Sequence, residues 1–264
     1  MLARQRQALI LEEARRTGAV RVSDLVARLG VSDMTIRRDL DVLASRGLVD
    51  KVYGGATAIV GPSTEEPGFE AKSVRQRAQK EAIASVAAEL VQPGTAIGLS
   101  AGTTTWTLAR ALEGVPGLTI VTNSIQVADV LRAATAPDRT VVLTGGVRTP
   151  SDALVGPVAV HSLRRLHLDQ VFLGVHGMAE GPGFTTPNLT ESETDRALVE
   201  AGRKLVVLAD SAKWGVVGIS TIAELDEAHV VVTDDGLGEA ARGVLGEHVG
   251  ELLVAPVKED TEEE

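Results

Sequence analysis

Seven short runs dominated by Val, Leu and Ile recur over residues 95–256: TAIGLS, LTIVTNS, TVVLTGG, QVFLGVH, KLVVLAD, HVVVTD and ELLVAP. A strand with one wet face alternates apolar and polar residues, whereas a continuous apolar run fits a strand covered on both faces. Most of the runs are separated by segments of helical character, among them TTWTLARAL, SIQVADVLRAA and ESETDRALVEAG. Doubly covered strands alternating with helices predict an α/β domain on a mostly parallel sheet, with helices on either side.

The first sixty residues follow another pattern. A helix is expected from Ala3 to Arg16, with Arg6, Ile10 and Ala14 along one side and Gly18 after it. A second starts near Ser23 as its cap, carries Leu25, Val26 and Leu29, and closes at Gly30, a residue suited to a left-handed cap. Val31 and Ser32 turn the chain into a third helix. Ser32 can cap it, Ile36, Leu40 and Leu43 face inward, and Gly47 stops it. LVDKVYGGA then reads as two short strands around a turn, which completes a winged helix-turn-helix. Thr35, Arg37 and Arg38 lie off the apolar stripe in the opening turns of the third helix. That composition suits the major groove of double-stranded DNA, with Lys51 and Tyr53 of the wing gripping the backbone or minor groove. One such head covers only a half-site, so a homo-oligomer, at least a dimer, is expected on the operator.

Charge supports this division. The chain carries −10 overall, yet from Met1 to Ala56 ten Arg and Lys face seven acidic residues, so the head is +3 and the remainder −13. A basic head holds phosphates locally while an acidic body resists nonspecific DNA contact. The length of 264 residues and 44% hydrophobic content support two domains with real cores. The expected boundaries are a DNA-binding head over 1–57, a linker over 58–73 containing VGPSTEEPG, an effector-sensing domain over 74–256, and an acidic tail over 257–264. Helical pattern resumes near Val74 and strengthens after Lys80, with Ile83, Val86, Ala87, Leu90 and Val91 as its stripe and Pro93-Gly94 as its end. Aromatic residues make up 2%, which disfavours single-strand stacking platforms. The absence of Cys excludes disulfides and Cys-based zinc sites, and suits a cytoplasmic setting. No apolar run approaches the roughly 18 residues of a membrane span, and no secretory signal is visible.

Ligands of parallel α/β sheets bind beyond the C-terminal strand ends. There the sequence places Ser100-Ala101-Gly102-Thr103-Thr104-Thr105 at a helix start, where free N–H groups and the helix dipole favour an anion. The loop is neither a P-loop nor GxGxxG, so a single small phosphate fits better than a nucleotide. The other strand ends supply Asn123, Gly145-Gly146, His176, Asp210 and Lys213, with Glu191 and Asp195 on the segment after Thr185-Thr186-Pro187. Lys213 would neutralise phosphate. Asp210, Asn123, Glu191 and Asp195 would read hydroxyls, and His176 would line the pocket. Each turn is also compatible with a plain strand-to-helix connection. The other four His are expected to be surface or structural, and Trp106 and Trp214 to be packing residues. No metal-ligand spacing, cofactor motif or G-x-S-x-G elbow is present.

Ser32-x-x-Thr35-Ile36-Arg37-Arg38-Asp39-Leu40 followed by Tyr53-Gly54-Gly55-Ala56, with Arg6-x-x-x-Ile10 upstream, resembles the N-terminal signature of the DeoR family of bacterial transcriptional regulators. GTT, TNS, TGG, FLG, GFTT, DSAK and TD resemble that family's sensor domain, in the same order. The resemblance spans residues 1–256. It implies a repressor of carbohydrate-utilisation genes, a sensor resembling the ribose-5-phosphate isomerase fold, and a phosphorylated sugar or polyol as effector. By it, Gly102, Thr103 and Thr104 would hold phosphate, and Asn123, Asp210 and Lys213 would line the pocket. Two positions depart from the family: Ser100-Ala101 stands where Asp-Ser is usual, and Ala14 is smaller than the usual branched residue. The rival readings are a phosphosugar isomerase or deaminase with an attached DNA-binding head, in which Asp210, Glu191, Asp195 and Lys213 would do acid–base work, and a binding module whose helix-turn-helix contacts protein. The expected assignment is a regulator with no catalytic residues, metal or cofactor.

Overall fold

A computed structural model describes residues 2–17, 19–45, 48–58, 68–133 and 138–258. The head consists of α1 (Ala3–Thr17), β1 (Ala19–Arg21), α2 (Val22–Leu29), α3 (Asp33–Ser45), β2 (Val49–Val52) and β3 (Gly55–Ala58). Ile10, Ala14, Leu25, Ile36, Leu40, Leu43 and Val49 bury one another in a small core. Gly30 ends α2 in the left-handed region at φ 65°, donating its N–H to the Val26 carbonyl. The Thr35 amide donates to Ser32 Oγ at 3.3 Å, so Ser32 caps α3 as expected.

The start of α2 differs from the expected one. Arg21, not Ser23, holds the cap position, and the Ser23 hydroxyl donates to Asp24. The reason is an unanticipated strand. β1 pairs antiparallel with β3, making the wing three-stranded, and runs straight into α2. The Val22 amide then donates to the Gly54 carbonyl at 2.8 Å, so the wing rather than a serine satisfies this helix start. That pairing also explains Gly55: a Cβ there would lie 2.0 Å from the Val20 carbonyl oxygen. Gly18, Gly47, residues 59–67 of the expected linker and residues 259–264 of the expected tail lie outside the described residues.

The body continues with α4 (Phe69–Ser73), α5 (Arg77–Ala88), β4 (Ala96–Leu99), α6 (Thr103–Ala111), β5 (Thr119–Thr122), α7 (Ile125–Ala133), β6 (Thr140–Leu143), β7 (Val147–Arg148), β8 (Leu154–Val155) and α8 (Pro157–Leu163). It ends with β9 (Gln170–Gly174), β10 (Gly177–Ala179), β11 (Gly183–Thr186), α9 (Leu189–Ala201), β12 (Leu205–Leu208), β13 (Ser220–Ala223), β14 (Val230–Asp234), α10 (Glu239–His248) and β15 (Leu252–Ala255), with 3₁₀ turns at Ser211–Lys213 and Leu225–Glu227. The seven apolar runs form one sheet in the order β15-β14-β12-β9-β4-β5-β6, and every pair in it is parallel.

Their unbroken apolar character follows from cover on both faces. Phe172, Val206, Leu208, Val230 and Val232 pack with Ile83, Leu108 and Val127 from α5, α6 and α7. Their chain neighbours Val171, Leu173, Val207 and Val231 pack on the other face with Leu163, Leu198 and Leu245 from α8, α9 and α10. The strand order reverses between β4 and β9, the place where open α/β sheets leave a crevice.

α4 lies within the stretch expected as linker. Gly68 accepts from the Lys72 amide at 3.1 Å, and the Phe69 ring stands edge-on to Trp106 of α6, 5.8 Å between centroids. Tertiary packing on the body, not local composition, makes this segment helical.

Candidate functional site

The outer face of α3 carries Asp33, Met34, Arg37, Arg38 and Asp41, all exposed. Thr35 is half-buried and shares a 2.9 Å hydroxyl contact with Ser32. Arg37 donates to Asp33 one turn back, which raises its pKa above the ordinary arginine value. Lys51 on β2 pairs with Asp41, bringing the wing cation beside the helix. Tyr53 stands fully exposed at the wing tip. The expected DNA-facing residues therefore share one surface, apart from Ser32, which serves the cap. Met34 joins that surface without having been anticipated; an apolar side chain in the opening turn suits a thymine methyl group.

At the other site, the crevice between β4 and β9 is held by side chains reaching across strand ends. Ser100 Oγ accepts from the Gly174 amide at 2.9 Å, and Asn123 Oδ1 accepts from the Ala101 amide at 2.8 Å. These two bonds shape the loop that opens α6. Gly102 caps α6 in extended conformation without a side-chain bond, and the amides of Thr103, Thr104 and Thr105 have no hydrogen-bond partner among the described residues. Free donors at the positive end of a helix are the kind of group that can receive an anion. Asn123 is 1% exposed and its Nδ2 has no partner among the described residues; Asp210 is 2% exposed and its Oδ1 has none among them either. Orphaned buried polar atoms are rare in folded chains and mark places where a ligand or water completes the bonding.

Glu191 lies buried at the start of α9. It accepts from Thr149 Oγ1 at 2.7 Å and Thr186 Oγ1 at 3.4 Å. Asp195, one turn on, is held well above the usual carboxylate range by burial and by Glu191. The pair is thus buried, not the solvated helix start that carboxylates often form. His176 is half-buried, its amide bonded to the Thr185 carbonyl. Lys213 stands one 3₁₀ turn after Asp210, and its amide donates to the Asp210 carbonyl at 2.9 Å. At Gly146, where φ is 127°, a Cβ would lie 2.5 Å from the Val155 carbonyl oxygen, so backbone conformation and close packing both call for glycine there. Trp106 packs against Phe69 and under Arg110, as a wall residue would.

Sequence reasoning missed Lys80, Lys72 and Ser151. Lys72 donates to Ser151 Oγ at 2.8 Å, tying α4 to the turn between β7 and β8. Lys80 is buried beside Asp210 and Lys213. Its signal was legible, since it falls on the apolar stripe of Ile83, Ala84 and Ala87. Among the described residues no group of acidic and His side chains could hold a metal, and no helix is long and apolar enough to cross a membrane.

Comparison with known proteins covers both parts. Residues 6–60 match the model of the DeoR-like helix-turn-helix domain, and residues 75–235 that of the DeoR C terminal sensor domain. The chain is 38% identical to the uncharacterized HTH-type transcriptional regulator YgbI of Escherichia coli, over 97% of this chain and 99% of that one. It is 34% identical to the putative aga operon transcriptional repressor of Escherichia coli O157:H7, over 88% and 87%. It is 35% identical to the HTH-type transcriptional regulator GlpR of Haloferax volcanii, over 92% and 94%. Among solved structures, ribose 5-phosphate isomerase A from Methanocaldococcus jannaschii aligns with a TM-score of 0.38 and 18% identity, over 51% of this chain and 53% of that one.

Proposed function

Because this chain belongs to the DeoR family and is a DNA-binding transcriptional regulator, we propose that it represses carbohydrate-utilisation genes and lets go of its operator when a phosphorylated sugar or polyol fills the crevice. The observation that carries this reading is the three amides at the start of α6 standing beside two buried polar atoms, Asn123 Nδ2 and Asp210 Oδ1, none of them partnered among the described residues. A dianionic phosphate suits those amides and Lys213; polyol hydroxyls suit an amide and a carboxylate that lack partners. The name of the putative aga operon transcriptional repressor supports a role in repressing an operon. Family membership supports regulation, rather than turnover, as the role of the crevice.

On the operator, Thr35, Arg37 and Arg38, with Met34, enter the major groove, and Lys51 and Tyr53 hold the flank. The Arg37–Asp33 and Lys51–Asp41 pairs are exposed and screened by solvent, so exchanging them for DNA contacts costs little. Two heads are needed to span a two-part operator, so the active species is at least a dimer. Ligand in the crevice shifts the population toward a head arrangement that no longer fits, which requires a differential affinity of a few kcal/mol.

Fluorescence anisotropy with duplex DNA from the promoter regions flanking the gene tests the head. Arg38→Ala is expected to weaken binding and to make the log–log salt dependence shallower by about one per head. Unchanged affinity and slope would remove Arg38 from the interface.

A further inference from the structure

The seven-stranded sheet has two outer strands, β15 and β6. An outer strand leaves half of its backbone N–H and C=O groups with no strand to meet, and folded chains protect such edges with charge, proline, a bulge or a covering element. β15 is covered: Leu252, Leu253 and Val254 are half-buried, and Leu252 and Leu253 pack against the two cores of the body. β6 is not. Its four residues, Thr140-Val141-Val142-Leu143, include no charge and no proline, and its register with β5 is unbroken. Val142 and Leu143 are 39% and 44% exposed, although they belong to one of the apolar runs.

The register fixes which backbone groups point away from the sheet. The Thr140 amide donates to the Leu118 carbonyl at 2.9 Å, and the Thr144 amide to the Thr122 carbonyl at 3.0 Å. Alternate residues of a parallel strand bond to the same neighbour. The N–H and C=O of Val141 and Leu143 therefore face outward, where they have no partner among the described residues. That spacing fits a second β6 running the other way. With a two-fold axis at Val142, Val141 of each copy exchanges both its bonds with Leu143 of the other, and Val142 stands opposite itself. The charges beside the edge suit the same axis. α7 lies on the Val141 face of β6, with Val127, Val130 and Leu131 in one cluster with Val141. Its exposed Asp129 and Arg132 hold each other only at 3.9 Å. Reversal about the axis brings the unlike charges of two such helices toward each other, so the edge attracts its own copy.

We propose that β6 is the edge at which two copies of this chain join, pairing antiparallel about Val142 so that their two sheets continue into one. The proposal rests on the reading that the active species is at least a dimer, and assigns the surface that makes it.

The chain contains no Cys, so Val142→Cys places a lone thiol on the axis. It would face its own copy at about 4.5 Å between Cα atoms, within disulfide reach. Mild oxidation of the full chain is expected to link Val142→Cys into a covalent dimer on a non-reducing gel, while Val217→Cys, at a similarly exposed position, stays unlinked. Val142→Lys sets two like charges face to face. In sedimentation velocity without DNA it should halve the mass of the assembly, or raise its dissociation constant at least about ten-fold, with thermal unfolding still cooperative. An assembly unchanged by Val142→Lys, or a Val142→Cys chain that links no better than Val217→Cys, would overturn the assignment and place the join on another surface. If Val142→Lys does not fold, the cysteine result decides alone. An unaltered chain that stays monomeric at every concentration tested would instead overturn the dimer reading beneath it.

Discussion

Asp39 occupies the face of α3 that Ile36, Leu40 and Leu43 turn inward. It is 3% exposed and accepts from Arg6 Nε and, at 3.0 Å, from Gln7 Nε2. The Thr-Ile-Arg-Arg-Asp stretch therefore divides by function: its arginines face outward and its aspartate locks α1 to α3. Removing one partner of a buried pair strands the other charge. Asp39→Ala is expected to destabilise the head by about 3–5 kcal/mol in urea unfolding, whereas Asp33→Ala, which breaks the exposed pair with Arg37, should leave the midpoint nearly unchanged. Equal effects would show that the Arg6–Asp39 contact carries no special weight. Lys80 repeats the lesson on α5. In both helices a charge set at core spacing marked a buried polar contact, a signal open to anyone reading residue by residue.

At the level of elements, the strands were legible because each must satisfy two cores at once, which forbids polar interruptions; Val171, Phe172 and Leu173 alternate between faces yet are all apolar. The helix-turn-helix was legible through its apolar stripe, Gly30 at the end of α2 and Ser32 at the start of α3, though not through Ser23. β1 and the small antiparallel sheet β10-β11-β13 were not, because strands of three or four residues leave too little periodicity to read. α4 was hidden in turn-rich composition, since much of what fixes it is distant in sequence: Trp106 for Phe69 and Ser151 for Lys72, with the Lys80 ammonium on the Lys72 carbonyl. The same holds for the crevice. Its loop chemistry could be read locally, but the Ser100–Gly174 and Ala101–Asn123 bonds depend on strand order. If α4 is held by its aromatic contact, Phe69→Ala should red-shift Trp106 emission while leaving cooperative unfolding of the body intact. An unchanged spectrum would mean that the edge-on contact does not persist in solution.

For the whole molecule, the charge division has a purpose. A head of +3 on a body of −13 confines DNA attraction to the face that reads sequence, and places the cations of the crevice in a surrounding negative field. The body is the family's sensor domain, and in the reading proposed above its ligand brings an anion to the crevice. Coupling between the two parts is a linked equilibrium, so any ligand that releases DNA must bind the DNA-bound form more weakly, by the same factor. The most direct measurement is anisotropy of labelled operator bound by the full chain during titration with a panel of phosphorylated sugars and polyols, repeated with Asp210→Asn. The account predicts that at least one compound releases the unaltered chain, and that Asp210→Asn holds the operator equally well but fails to let go. Release of Asp210→Asn at the same ligand concentration, or an unaltered chain indifferent to every phosphorylated compound, would contradict it.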